Sequence, residues 1–156
     1  MTIETQDLKV IVFQLKNEEY GIPIEYVGSI ERMMDITRVP GTASFVKGVI
    51  NLRGVITPII DLRERFGVEE MEYNESTRII IVTIDDKEVG IVVDSANDVI
   101  DINRGLIEPP PEVIGSIDVD YIEGVAKLEN RLLILLKIDK VLTTEELKEL
   151  NKVERD

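Results

Sequence analysis

The sequence predicts a mainly-β protein built from two small barrels that are related by an internal duplication. One observation is compositional: hydrophobic residues make up 44% of the chain, aromatic residues only 4%, and Trp is absent. The core must therefore come from Leu together with Ile and Val, which are β-branched and favour strands. The other two observations are a pair of similar hairpin patterns and a second pair that follows them in the same order.

The first pair of similar stretches is "KVIVFQLKNEEYGIPIE" at 9–25 and "RIIIVTIDDKEVGIVVD" at 78–94. A constant shift of 69 superposes them without a gap and places Gly21 on Gly90. In each copy an apolar run enters a charged turn and then a second run that contains this glycine, which is the pattern of a β-hairpin. Each half of the chain is therefore predicted to begin with a hairpin.

The second pair is "GVINLRGVITPIID" at 48–61 and "GVAKLENRLLILLKID" at 124–139. The shift is now 76 at the glycines, so the second unit carries an insertion, which we assign to the loop at 104–120. Asp61 with Glu64 three residues on predicts a capping box for a short helical turn. Thr143 with Glu146 begins the predicted C-terminal helix, 143–154, in the same way.

The duplication predicts one domain, 1–156, made of two lobes at about 9–70 and 78–142, and an exchange of terminal strands between them stays open. Closing each small sheet into a barrel would hide its edges, and two thin cores should pack together around a groove. The segment 24–34 departs from strand alternation, and Val27, Ile30 and Met34 would share one face of a helix. Together with 93–103 it would line the groove or cap the barrels, and both readings stay open.

Composition excludes several classes of function. A net charge of −13 argues against binding to nucleic acid or anionic lipid. Without Cys or His the chain has no disulfide, no thiolate site and no imidazole ligand or base. No phosphate-binding loop, nucleophile elbow or metal motif occurs. We therefore expect a non-catalytic protein without cofactor or metal, and the absence of a signal or membrane-spanning pattern predicts a cytoplasmic location without membrane insertion.

Arg53 is the candidate functional residue that this reading leaves unexplained. It lies between Asn51 and Gly54, at the predicted tip of a hairpin. Asn and Gly suit a tight turn, but the turn does not require Arg, and the second copy has "LENR" at 128–131 instead. Two readings stay open: a solvated turn residue, or a guanidinium that binds a partner's carboxylates.

The stretch "FVKGVINLRGVITPIIDLRERFG" at 45–67 resembles the signature segment of the CheW family, the coupling proteins of bacterial chemotaxis. The stretches 18–42, 89–102 and 121–142 fit the family as well. The resemblance implies two SH3-like five-stranded barrels around a groove, with no catalysis and no cofactor. It implies an adaptor that links the cytoplasmic tips of methyl-accepting chemoreceptors to the regulatory domain of the histidine kinase CheA, and that is recruited to membrane-bound receptor arrays.

By this resemblance the receptor-contacting surface would include the turn and an apolar set that accepts a helix in a groove. The turn residues are Arg53, Asn51 and Gly54, and the apolar residues are Ile24, Val27, Ile30 and Val99. One departure is visible: many relatives carry an acidic residue where this chain has Ser29, with Glu31 nearby. The alternatives are a scaffold that resembles the CheA regulatory domain and binds kinase without receptors, and an enzyme or small-ligand module.

Overall fold

The computed structural model describes residues 7–69, 71–110, 121–142 and Glu146. Within these ranges the chain forms strands joined by short turns, one four-residue helix, α1 (Leu62–Arg65), and 3-10 turns at Ile24–Tyr26, Arg104–Leu106 and Ile138–Lys140. The strands are β1 (Asp7–Leu15), β2 (Glu18–Pro23), β3 (Val27–Arg32), β4 (Val46–Leu52), β5 (Val55–Asp61), β6 (Arg78–Ile84), β7 (Lys87–Val93), β8 (Ser95–Asn103), β9 (Ile107–Glu108), β10 (Ile122–Leu128) and β11 (Arg131–Leu136).

The strands form two sheets, which confirms the mainly-β fold class. One sheet has the order β8-β1-β2-β11-β10-β9 and the other has the order β3-β6-β7-β5-β4. The hairpin β1–β2 from the first half joins strands of the second half, and the hairpin β6–β7 from the second half joins strands of the first. The parallel pairs are β2 with β11 and β5 with β7, which are equivalent pairs under the duplication. The first sheet has six strands rather than five because the two-residue β9 joins its edge.

Each sheet curls back on itself. In the six-stranded sheet β8 pairs with β1 and β9 pairs with β10, at opposite edges, yet only the turn Arg104–Leu106 separates β8 from β9 along the chain. In the five-stranded sheet Thr37, which follows the edge strand β3, bridges to Val49 of the opposite edge strand β4. The two backbone hydrogen bonds of this bridge measure 2.9 and 2.8 Å. Both sheets therefore bring their edges together, as a small barrel does.

The first strand shows why the apolar runs are continuous rather than alternating. Val10 and Val12 belong to a buried cluster inside the six-stranded sheet. Ile11 and Phe13 point the other way, into the largest cluster, which contains side chains from both sheets. A strand buried on both faces reads as an unbroken hydrophobic stretch. Each fully buried side chain of this kind contributes roughly 1.5–3 kcal/mol, so the cluster between the sheets holds the two barrels together.

The prediction of a helix in 24–34 is wrong. A 3-10 turn at Ile24–Tyr26 leads into β3, whose residues alternate between half-buried and exposed. The strand wins because Ile30 pairs with Ile80 of β6 and because Val27 packs against the core between the sheets. Three apolar residues at helical spacing, with Gly28 and Ser29 between them, cannot replace those contacts. The partner segment 93–103 likewise consists largely of β8.

The first predicted capping box is half formed. Asp61 is the N-cap of α1, and its carboxylate accepts a hydrogen bond from the Arg63 N–H at 2.9 Å. The Asp61 N–H, which a complete capping box would direct to the Glu64 carboxylate, donates to the Phe45 carbonyl at 2.8 Å. Glu64 forms an ion pair with Lys47. The predicted C-terminal helix at 143–154 lies outside the described residues except for Glu146, as does much of the loop at 104–120.

Candidate partner-binding surface

The tip of the hairpin β4–β5 is a two-residue turn with the backbone geometry that Asn51 and Gly54 predict. Arg53 and Gly54 have φ values of 51° and 88°, so both central residues are left-handed, as in a type I′ turn. The Asn51 Oδ1 accepts a hydrogen bond from the Gly54 N–H at 2.7 Å. Turn chemistry therefore accounts for Asn51 and Gly54.

Turn chemistry does not account for Arg53, because an L-residue with a long side chain is uncommon at positive φ. Its side chain is 69% exposed, and its Nη2 donates to the Glu31 Oε2 at 3.0 Å. An ion pair with one partner this exposed is worth at most about 1 kcal/mol of stability. The guanidinium is thus oriented by β3 while most of its surface faces solvent.

We expect Arg53→Asn to leave the free energy of unfolding unchanged or to raise it by up to about 0.5 kcal/mol. The reason is that Asn followed by Gly is the preferred pair for this turn, whereas Arg is not. Urea denaturation of the two proteins measures the difference. A loss of more than 1 kcal/mol would show that Arg53 has a structural role and would remove the argument for a partner.

The surroundings of Arg53 include two apolar residues that sequence reasoning missed. Val55 and Ile56 are 53% and 40% exposed, although the sequence assigns them to a buried strand. In the register of the hairpin Val55 lies opposite Leu52 and Ile56 lies opposite Asn51. Their position directly after the turn motif is the signal that could have identified them. Strand residues at the tip of a hairpin extend beyond the rest of the sheet, so neighbouring strands do not bury them.

The structure distributes the predicted apolar residues over both sheets. Ile30 is exposed on β3, the strand whose Glu31 pairs with Arg53. Ile24 is exposed in the 3-10 turn that connects the two sheets, and that turn contacts both β1 and β6. Val99 is exposed on β8 of the six-stranded sheet, where it pairs with Ile11. Val27 is half-buried and packs against the central core, so it supports this surface more than it lines it.

A wide surface cleft lies elsewhere among the described residues. Its lining comes from the segments 36–47, 61–69 and 71–73 and includes none of the seven predicted contact residues. Over the ranges that the structure describes, no helix is long and apolar enough to cross a membrane. In the same ranges no three Asp or Glu residues come together in a group that could hold a metal ion.

Comparison with known proteins gives a consistent result. Residues 9–146 match the family model described as CheW-like domain. The chain is 42% identical over 144 residues to a chemotaxis protein CheW of Klebsiella aerogenes, an alignment that covers 92% of this chain and 87% of that protein. It is 47% identical over 137 residues to chemotaxis protein CheW of Bacillus subtilis, with 88% of each chain covered.

The chain belongs to the CheW family. A solved structure, that of the scaffolding protein TtCheW from Thermoanaerobacter tengcongensis, matches the fold with a TM-score of 0.84 at 38% identity. The match covers 90% of this chain and 95% of that one. Sequence, family model and fold thus agree over nearly the whole chain, and the chain is a CheW-type chemotaxis protein.

Within this CheW-family chain the polar partner of Arg53 comes from β3. Ser29 and Glu31 lie on the same half-buried side of this strand because strand residues two apart share a face. Glu31 supplies the carboxylate that meets Arg53.

Proposed function

We propose that this protein is a non-catalytic adaptor that couples chemoreceptors to the histidine kinase CheA. It binds the cytoplasmic tips of methyl-accepting receptors and the regulatory domain of the kinase, and it works in the cytoplasm at membrane-bound receptor arrays. The observation that carries the proposal is Arg53, an exposed guanidinium at a turn position that disfavours arginine. Exposed apolar side chains of Ile30, Val55 and Ile56 lie on the strands next to it.

This combination suits a helical partner. A guanidinium can bind a carboxylate through two parallel hydrogen bonds, and apolar side chains beside it can accept the hydrophobic face of an amphipathic helix. A receptor tip of that kind would lie against β3 and the β4–β5 turn and reach Val99 on the other sheet. Asn51 and Gly54 would contribute by holding Arg53 in place.

The mechanism consists of conditional binding rather than bond chemistry. Holding receptor and kinase on one protein raises their effective local concentration without any new contact between them. A change of receptor state can shift the equilibrium between kinase conformations only by the difference in the adaptor's binding free energy for the two receptor states. Such reversible interfaces depend on a few well-placed side chains, so single substitutions should have measurable effects.

We expect Ile30→Ala and Val99→Ala each to weaken binding of a receptor cytoplasmic fragment about fivefold, equivalent to about 1 kcal/mol of lost apolar contact. Folding should be unaffected, because the two side chains are 42% and 49% exposed. Leu132→Ala is the matched control, since Leu132 is 60% exposed at the tip of the hairpin β10–β11. Isothermal titration with the fragment measures all three. Equal losses in the control would refute a receptor surface centred on Ile30 and Val99.

The proposed function is tested by titrating the purified protein separately with receptor fragments and with the regulatory domain of CheA. An adaptor binds both, and it binds them simultaneously in a three-component mixture. Binding to the kinase domain without binding to receptor fragments would instead favour the scaffold that acts without receptors. Binding to neither would refute both functions.

A further inference from the structure

The second crossing between the two sheets is made by a single residue. The chain passes from the six-stranded to the five-stranded sheet through Ile24–Tyr26, between β2 and β3. It returns at Asp94, which alone separates β7 of the five-stranded sheet from β8 of the six-stranded sheet. The 3-10 turn of the first crossing has no side-chain cap hydrogen bond. The two crossings are therefore held in different ways.

The Asp94 carboxylate joins the two sheets. Its Oδ1 accepts from the Arg63 Nε at 2.7 Å and its Oδ2 accepts from the Arg63 Nη2 at 2.6 Å. Arg63 belongs to α1, which directly follows β5 of the five-stranded sheet. The same Oδ2 accepts from the Lys16 backbone N–H at 2.7 Å, in the β1–β2 turn of the six-stranded sheet. The Asp94 N–H donates to the Gln14 carbonyl of β1 at 3.0 Å.

Burial makes this ion pair rigid. The side chains of Arg63 and Asp94 are 10% and 14% exposed. The Arg63 Nη1 also donates to the Glu69 carbonyl at 2.6 Å, so the guanidinium is fixed from more than one side. The hydrogen bonds with Asp94 raise the pKa of Arg63 above its usual value. A bidentate pair with so little contact with solvent has few alternative geometries.

We propose that Arg63 and Asp94 are positioning residues that fix the angle between the two sheets and thereby set the spacing of the receptor-binding surface. This role rests on the proposed function, because that surface is split between the sheets. Arg53 and Ile30 are on the five-stranded sheet, whereas Val99 follows Asp94 on β8. A helix that contacts both sheets binds well only when the two parts of the surface are the right distance apart. Asp94 lies at the crossing between the sheets, where a small rotation would change that distance.

The chain has no Cys, so spin labels can be placed cleanly. Thr83→Cys on β6 and Glu123→Cys on β10 put one exposed label on each sheet. Electron–electron double resonance then gives the distribution of distances between the sheets. In Asp94→Asn we expect this distribution to broaden and the affinity for the receptor fragment to fall at least fivefold. Asp101→Asn is the matched control, because its pair with Lys9, at 3.7 Å, has side chains 55% and 56% exposed; it should change neither quantity.

A distribution in Asp94→Asn as narrow as that of the parent protein would overturn the inference. If Asp94→Asn does not fold, Arg63→Lys decides, since lysine keeps the charge but cannot donate to both carboxylate oxygens and to the Glu69 carbonyl. Broadening in that variant supports the inference, and an unchanged distribution overturns it. The distance measurement needs no partner. A broadened distribution together with a parent protein that binds no receptor fragment would therefore support the role of Asp94 in orienting the sheets while refuting the proposed function.

Discussion

Gly48→Ala is expected to lower the free energy of unfolding by roughly 2–6 kcal/mol, since backbone strain and overpacking each cost about 1–3 kcal/mol. Gly48 has φ = +143°, a conformation that L side chains rarely adopt. A Cβ at this position would lie 2.7 Å from the carbonyl carbon of Thr37 and closer still to its oxygen. Thr37 makes the bridge to Val49 that brings the edges of the five-stranded sheet together. The substitution therefore opens this barrel or strains it.

Gly41→Ala separates the two causes. Gly41 also has a positive φ, of 83°, but a Cβ there would meet no atom within 4 Å. It should cost about 1 kcal/mol, the part due to backbone conformation alone. Urea denaturation of both variants measures the two costs. Gly124→Ala, at the corresponding position of the second unit, adds a close approach without positive φ, because a Cβ there would lie 2.7 Å from the Glu108 carbonyl oxygen. Equal costs at Gly48 and Gly41 would contradict the role of the close approach to Thr37.

Arg53→Ala is expected to weaken binding of the receptor fragment by roughly 1–3 kcal/mol, the scale of a lost hydrogen bond to a charged group. The barrels should stay folded, because the side chain is 69% exposed and its ion pair with Glu31 is on the surface. Titration calorimetry with the fragment gives the affinity, and thermal unfolding of the same samples gives the stability. Arg53→Lys should recover only part of the loss, since lysine lacks the planar fork.

Arg131→Ala is the control for charge. Arg131 begins β11, and its Nε donates to Glu19 at 2.8 Å with its side chain 34% exposed. The Arg131→Ala substitution removes the same charge from the tip of the hairpin β10–β11. If Arg53→Ala binds the receptor fragment as tightly as the parent protein, or if Arg131→Ala loses as much, Arg53 is not a specific receptor contact.

The parts of the fold that local chemistry determines could be predicted from the sequence. The hairpins follow from apolar runs around charged turns. The tight turn of β4–β5 follows from Gly54, which accepts positive φ, and from the Asn51 side chain, which accepts a backbone hydrogen bond. The mainly-β class followed from the composition and the two repeats. In each case the residues that fix the structure are neighbours in the chain, so the sequence displays them together.

The parts that depend on distant contacts could not be predicted in the same way. The two copies of the first hairpin have nearly the same pattern, so either could complete either sheet, and the sequence does not show that each joins the other half. The pairing of Arg63 with Asp94 joins residues far apart in the chain and has no local signal. The helix prediction for the segment from Ile24 to Met34 was wrong although a local signal was present. The apolar residues do have helical spacing, but the pairing of β3 with β6 stabilises a strand more than that spacing stabilises a helix.

The candidate surface shows the same division. The sequence singles out Arg53 because turn chemistry leaves it unexplained, and the family resemblance gives it a role. The sequence names Glu31 only as a nearby acid. Its pairing with Arg53 could not be read from the chain, because the two residues meet only where β3 approaches the β4–β5 turn. Val55 and Ile56 were not predicted to be exposed, because an apolar residue in a strand is expected to be buried unless the structure shows that no neighbouring element packs on it.

Reconstitution of signalling tests the central claim most directly. Receptor-containing membranes, CheA and the purified protein are combined, and kinase activity is measured with and without a receptor ligand. An adaptor makes the activity of the kinase depend on the receptor, and Arg53→Ala lowers that dependence without lowering the basal activity of CheA. Kinase activity that stays independent of the receptor, in a system where a CheW protein of established function confers dependence, would contradict the account.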